Sequence, residues 1–334
     1  MSTAPAPEPR SYSYLGPRGT FTEAALAQVE EARGQEWRSV NNVGEALDDV
    51  VSGRSTAAMI AIENSIEGGV SVAQDALSTM PGLRIIGEYL VHVGFVLVVR
   101  PGTRLEDVRV VTAHPVAYAQ CRGWLDRALP GHAHIPASSN VQAAAGLLEN
   151  DLADAAVAPP TIVDHYALET VATGIIDNPN AVTRFVLVST TRELPRPTGA
   201  DKTSLVAELP VDRAGALLEL LEQFSTRGVN MSLLESRPIG DELGRYRFII
   251  DADGHILDER VADAMLGVRR FSPSVVFLGS YPRADGVRVS FDPRYDDDVF
   301  IDARDLLRAI VSGEPDVPPR LGSTPLSASH PTAS

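Results

Sequence analysis

Short apolar runs alternate with segments that open like capped helices across residues 11–189, and this alternation limits the fold more than any other feature of the chain. Residues 11–15, 36–40, 57–62, 108–113, 134–137 and 153–158 read as strands, and 85–100 as one or two more. Between them the sequence predicts helices over 21–32, 43–52, 71 to about 80, 115–129 and 140–148, and a short one over 160–166. Three of these open with a hydroxyl residue followed three positions later by Glu or Gln: Thr20 and Glu23, Ser71 and Gln74, Ser139 and Gln142. Pro115 after His114 suits a first helical turn. Strands alternating with helices predict an α/β sheet, mostly parallel.

The stretch Asn178-Pro179-Asn180 is a turn signal, followed by Thr183-Arg184-Phe185 and an apolar β-branched run to Val188. Phe185 to Val188 reads as a buried strand, with Thr183 and Arg184 at its entry, where a cleft can reach them. Residues 192–202, with Pro195, Pro197 and Gly199, read as a linker. From 203 the rhythm changes to strand 203–209, helix 214–226, strands 229–238 and 246–251, helix 258–271 and strand 274–279, a βαββαβ unit. After Tyr281 the chain turns acidic and Pro/Ser-rich, so 283–334 reads as a mostly disordered tail with one helix near 302–311.

Charge and composition exclude several classes. A formal net charge of −15 argues against a nucleic-acid binder. Cys121 is the only cysteine, so no internal disulfide forms and a reducing cytoplasm is the expected compartment. Lys202 is the only lysine, which leaves Schiff-base chemistry almost no candidate. The Pro/Ala-rich first ten residues lack a signal pattern. No apolar run approaches the roughly 20 residues that cross a membrane. There is no Walker A, dinucleotide or G-x-S-x-G motif, and beside His132 and His134 no carboxylate or second histidine pair has metal-ligand spacing, so the expected chemistry needs no metal or other cofactor. His114 reads as a helix-entry residue and Cys121 as packing.

What remains is binding and orientation. Helix N-termini carry free N–H groups and partial positive charge. Several at the carboxyl ends of parallel strands, beside the Arg184 guanidinium, suit a small dicarboxylate. A short hydroxyl donor at Thr183 suits an anionic substrate that loses an oxygen. Each capped helix alone reads equally as ordinary structure.

Five motifs in order give this reading a family. The chain resembles the monofunctional prephenate dehydratases in Gly16-Pro17-Arg18-Gly19-Thr20-Phe21, in Ile62-Glu63-Asn64-Ser65 with Glu67-Gly68 following, and in Thr183-Arg184-Phe185. Its C-terminal unit is similar to an ACT regulatory domain through Gly215-Ala216-Leu217 and Glu235-Ser236-Arg237-Pro238. Ala158-Pro159-Pro160-Thr161 departs from the pattern, since relatives often place small and hydroxyl residues there. The resemblance implies a catalytic domain over 11–191 with two lobes similar to type II periplasmic binding proteins, crossed near residues 88 and 174. A ferredoxin-like ACT domain is then expected over 203–282.

The implied activity is conversion of prephenate to phenylpyruvate, with Thr183 as the catalytic donor. Thr20, Phe21, Asn64, Ser65, Gly68, Ser138, Ser139, Arg184 and Phe185 are then expected at the substrate, and Glu63 as support behind them. Phenylalanine is the implied effector, at Gly215, Ala216, Leu217, Asn230, Glu235, Ser236, Arg237 and Pro238, in a dimer or tetramer joined through ACT domains. Two other readings share these features: an arogenate or broad cyclohexadienyl dehydratase, and a two-lobed ligand sensor without turnover.

Overall fold

The computed structural model describes residues 10–66, 68–211, 213–239 and 245–313. The Pro/Ala-rich start up to residue 9, Glu67 of the second motif and the expected disordered segment from residue 314 lie outside them. The chain divides into two units. In order, the first unit carries β1 (Ser11–Leu15), α1 (Phe21–Leu26), β2 (Glu36–Val40), α2 (Val43–Val51), β3 (Ala57–Asn64), β4 (Gly68–Gly69), α3 (Ser71–Thr79) and β5 (Arg84–His92). It continues with β6 (Val96–Val99), β7 (Val110–Ala113), α4 (Pro115–Ala128), β8 (Ala133–Pro136), α5 (Asn140–Glu149), β9 (Ala155–Ala158), β10 (Glu169–Thr173) and β11 (Val182–Ser189). The second unit follows with β12 (Asp201–Glu208), α6 (Ala216–Ser225), β13 (Met231–Pro238), β14 (Tyr246–Asp253), α7 (Glu259–Phe271), the start of β15 (Val275–Pro282) and α8 (Asp297–Ser312).

The first unit holds two sheets, ordered β2-β1-β3-β11-β5 with β4 on β3, and β10-β6-β9-β7-β8. Both are mixed rather than mostly parallel. β1 runs parallel to β2 and β3, whereas β11 runs antiparallel to both β3 and β5. The reason is connectivity: β11 re-enters the first sheet from the second and so arrives in the opposite direction. The chain leaves the first sheet between His92 and Val96 and returns between Thr173 and Val182. The first crossing therefore falls after the expected position, because Glu88 lies inside β5. Each sheet buries its own core, one around Tyr12, Tyr14, Leu26, Met59 and Phe185, the other around Phe95, Leu97, Val111, Leu125 and Val157.

Local chemistry sets the helix ends. Asn42 caps α2 by accepting from the Glu45 N–H at 2.9 Å, and Val43, Ala46, Leu47 and Val50 form its buried face. α1 is shorter than expected. It ends at Leu26, and residues 30–32 form a 3₁₀ turn after the extended Val29. Glu23 completes no box onto Thr20, because its carboxylate takes the Gly19 N–H at 2.5 Å. Thr20 itself still caps α1, but Ser71 is not a cap: Val70 holds that position while its own N–H donates to the Ile62 carbonyl, so the helix starts directly from the β4 hairpin. Ser139 does cap α5, accepting from the Gln142 N–H at 3.0 Å.

Among the described residues the second unit spans 197–276 and 287–313, against the expected 203–282. β12 already begins at Asp201, inside the expected linker. Its strand–helix–strand–strand–helix–strand order forms a four-stranded sheet, β13-β14-β12-β15, with β13 at an edge. Leu220 and Phe224 of α6 and Val261, Ala264 and Val268 of α7 share one core with that sheet. The tail is more ordered than its composition predicts. Phe291 stacks under the Arg260 guanidinium at 4.1 Å, Asp297 accepts from the Glu259 N–H at 2.8 Å, and Arg304 pairs with Glu259, which anchors α8 on α7. From Phe277 to Gly286 the chain belongs to the first unit.

Candidate active site

The strand entry at Thr183 is built by its neighbour β3. In the antiparallel β3–β11 pair Thr183 stands opposite Asn64 and Arg184 opposite Glu63, while Phe185 stands opposite Ala61. Ile62 is thus an extra residue on β3, and such a bulge re-aims the side chains that follow. The chain then folds back through β4, with Asn64 opposite Gly68. Gly68 has φ +80°, a conformation that only glycine adopts without strain. Asn64 Oδ1 accepts the Ile66 N–H at 2.8 Å and its Nδ2 donates to Thr183 Oγ1 at 3.0 Å. The Ile66 bond fixes which way the amide points. Thr183 Oγ1 is therefore used as an acceptor, and its own proton is left to donate. Ser65 pins the same entry: its N–H donates to the Val182 carbonyl and its Oγ accepts the Val182 N–H, both at 2.9 Å.

Successive strand residues point to opposite faces, so Arg184 turns away from Thr183. Its Nε donates to Glu88 Oε1 at 2.5 Å, Nη1 to Glu63 Oε2 at 3.3 Å and Nη2 to the Tyr281 hydroxyl at 2.9 Å. The side chains of Arg184 and Glu88 are only 7% and 3% exposed. The expectation that Arg184 holds a substrate carboxylate therefore meets a buried guanidinium already committed to two carboxylates and a phenol. Phe185, expected on the cleft wall, is 2% exposed and packed in the core of the first sheet. Phe21 is the aromatic residue that reaches both cores, with its ring edge-on to Phe95 at 5.6 Å.

Thr20, Phe21, Ser138 and Ser139 come together. With His114, Asn140, Val141 and Pro159 they line a cavity of about 180 Å³. Thr20 Oγ1 accepts from the Glu23 N–H and donates to the Leu15 carbonyl, both at 3.3 Å. A second cavity of about 500 Å³ is lined by Ile66, Pro115, Val116, Ala119, Gln120, Asp177 and Asn178. The Asp177 carboxylate accepts the N–H groups of Gly123 and Trp124, at 2.7 and 3.0 Å, in the middle of α4. A Cβ on Gly123 would meet Asp177 Oδ1 at 2.8 Å, so glycine is what admits this clip. It ties the returning crossover to the helix that carries Gln120. Among the described residues no group of three His, Cys, Asp or Glu is placed to hold a metal.

The sequence profile of the family described as prephenate dehydratase matches residues 12–193. The chain belongs to the prephenate dehydratase family. A prephenate dehydratase of Amycolatopsis methanolica is 41% identical over 303 residues, covering 90% of this chain and 98% of that protein. The crystal structure of prephenate dehydratase from Arthrobacter aurescens in complex with L-Phe superposes with a TM-score of 0.87 at 50% identity, covering 91% of this chain and all of that one. A further similar structure, at 30% identity and a TM-score of 0.74, is GqqA, described as a novel type of quorum-quenching acylase; it covers 82% of this chain and 98% of that one.

Two residues named from the sequence without a site role, His114 and Thr161, meet the site residues in the structure. His114 is the helix-entry residue expected, its Nδ1 accepting the Val116 N–H at 3.3 Å, yet the same ring lines the smaller cavity. Its position on a strand-to-helix turn beside Pro115 was the available signal. Thr161, within the departing Ala158-to-Thr161 stretch, donates to the Gly19 carbonyl at 3.4 Å, and His165 Nε2 lies 3.3 Å from Glu23 Oε2. That stretch therefore meets the glycine motif. Cys121 is fully buried, and burial with the nearby Asp177 charge pushes its thiol up to about 12.

In the second unit Gly215 sits at the N-terminus of α6 with φ +86°, followed by the buried Ala216 and by Leu217. Asn230 donates to Asp253 Oδ2 at 2.7 Å just before β13. Glu235, Ser236, Arg237 and Pro238 close that edge strand, with Ser236 and Pro238 exposed.

Proposed function

We infer that this chain converts prephenate to phenylpyruvate. The ring carboxylate leaves as carbon dioxide, and its bonding electrons enter the ring as the opposite hydroxyl departs with the C–O pair. The hydroxide takes a proton to become water, and the ring becomes aromatic. The bond changes are downhill, so the protein needs to orient the dianion and to stabilise charge on the departing oxygen.

Thr183 is the residue assigned to that oxygen. The observation that carries this role is the Asn64 amide donating to Thr183 Oγ1, which leaves the hydroxyl proton available to donate. A donor aimed where charge develops acts mainly in the transition state. Thr20, Ser138 and Ser139, with Phe21 as the apolar side, are assigned to the carboxylates and the ring, from their shared cavity. Asn64, Ser65 and Gly68 are assigned to the turn that holds Thr183. Arg184 acts from behind the strand, and Phe185 supports the site from the core of the first sheet. The catalytic unit is read as two lobes similar to type II periplasmic binding proteins, one on each sheet.

The second unit is read as an ACT domain binding phenylalanine. Support comes from the L-Phe complex of the Arthrobacter relative and from the glycine at the start of α6, where a ligand's charged groups can approach helix N–H groups. The edge strand β13 suits pairing with a second copy, in a dimer or tetramer. The enzyme is read as cytoplasmic; among the described residues no helix is long and apolar enough to cross a membrane.

Phenylpyruvate release from prephenate by metal-stripped, desalted protein tests the reaction, with arogenate assayed in parallel. Binding without carbon dioxide release would identify a sensor instead.

A further inference from the structure

The two faces of the β3–β11 pair are organised differently. On one face the cross-strand pair is Thr183 with Asn64; one position along, on the other face, it is Arg184 with Glu63. The second pair is buried behind the first and reaches a third strand and a distant segment. Glu88 on β5 binds Arg184 through Oε1 and accepts the Ala284 N–H through Oε2 at 2.8 Å. Tyr281, fully buried, binds Arg184 from the same segment, residues 277–286. Gly279 lets that segment lie directly on β5: a Cβ there would meet the Ile85 carbonyl oxygen at 2.2 Å, and its φ is +147°.

On the functional reading above, we propose that Glu88, Arg184 and Tyr281 are positioning residues for the reaction, a buried clamp that fixes the reach of the Thr183 hydroxyl from the opposite face of its strand. The chemistry follows from the bonds. A guanidinium offers a rigid fork of donors, and here one prong is taken by each of three elements: β3 through Glu63, β5 through Glu88 and the 277–286 segment through Tyr281. Charge-assisted hydrogen bonds in a buried site are directional and strong. Removing one prong leaves Arg184 charged and buried, so it shifts toward the remaining carboxylates. Its backbone is the next residue to Thr183, and Glu63 is the next residue to Asn64, so the shift is passed to both members of the catalytic pair. The 277–286 segment continues β15 directly from the second unit.

Tyr281→Phe tests this with the fold preserved, since only the hydroxyl is lost. Coupling networks of this kind change energies enough to lower kcat about two- to thirtyfold, with KM within about twofold because no substrate contact is removed. A merely structural loss would also add to any other lesion. We expect instead that Tyr281→Phe has no further effect on kcat in the Thr183→Val background. Glu88→Gln should follow the same pattern with a larger loss. Wild-type kcat in Tyr281→Phe, or full additivity with Thr183→Val, overturns the proposal. If the wild-type chain does not turn over prephenate, the functional reading fails by itself. The clamp is then decided by amide hydrogen exchange at residues 182–185, which should speed up in Tyr281→Phe; unchanged exchange there refutes it.

Discussion

Replacing Asn64 by aspartate changes one donor to an acceptor at the centre of the site. One oxygen keeps the Ile66 N–H, as Asn64 Oδ1 does at 2.8 Å, so the β3–β4 turn is retained. The other oxygen then faces Thr183 Oγ1, which the Asn64 amide approaches at 3.0 Å. It has no proton to give and accepts the threonine O–H instead. A hydrogen bond to a charged acceptor is worth about 1.5–3 kcal/mol, against about 0.5–1.5 for a neutral one. The Thr183 proton is therefore held by the new carboxylate rather than offered to the departing hydroxide. The loss should match removal of one positioned oxyanion donor, about 10²–10³ in kcat or about 2.7–4 kcal/mol. The added charge near a dianion will also raise KM, so kcat is read at saturating prephenate. The double variant Asn64→Asp/Thr183→Val separates the causes. If the hydroxyl is what is lost, the double variant is no slower than Thr183→Val alone. A further large loss in that background would place the effect in the charge and refute the reasoning, as would near wild-type kcat in Asn64→Asp.

Three other expectations follow from the structure. Burial alone would raise the Asp49 carboxyl, but hydrogen bonds from Arg54 and Ser13 and the charge of Arg38 hold it below the ordinary range. A depressed folded value stabilises above the unfolded value of about 4 and is lost as pH falls through the folded one. Asp49→Asn should lower Tm at neutral pH and flatten the acid limb of Tm against pH; an unchanged limb refutes it. Cys121, buried and pushed up to about 12, should resist alkylation at neutral pH until the protein unfolds, so modification faster than opening of the native state contradicts its placement. Phenylalanine at millimolar levels should inhibit the full chain and bind by calorimetry, and Gly215→Val should weaken both; no binding and no inhibition would leave the second unit a scaffold.

Much of this was legible in the sequence because it is local. The Ser139 cap, the helix over 43–52 and the βαββαβ order depend on residues within a few positions of one another. Family resemblance put Thr183 and Asn64 at one substrate, but their direct bond, across 119 residues, was not legible. Arg184 could not be read correctly from its neighbours. Its partners Glu88 and Tyr281 lie 96 and 97 residues away on opposite sides, and only the fold brings them to one guanidinium. Strand direction was equally hidden, because β11 reverses on returning from the second sheet. β10 has the sequence Glu-Thr-Val-Ala-Thr and no apolar run, so its pattern gives no strand signal. The Ser71 box matched its motif, yet Val70 had already been fixed by its bond to Ile62. The tail looked disordered because its anchors, Phe291 on Arg260 and Asp297 on Glu259, are tertiary contacts that composition does not record.

Single-turnover conversion of prephenate by the full chain, beside Thr183→Val, tests the central assignment most directly. Valine keeps the shape of threonine and removes the hydroxyl while leaving the β3–β11 pairing in place. Phenylpyruvate should form with the wild-type protein, and the rate of the chemical step should fall about 10²–10³-fold in the variant with little change in prephenate binding. An equal rate in the two proteins would contradict the role given to Thr183.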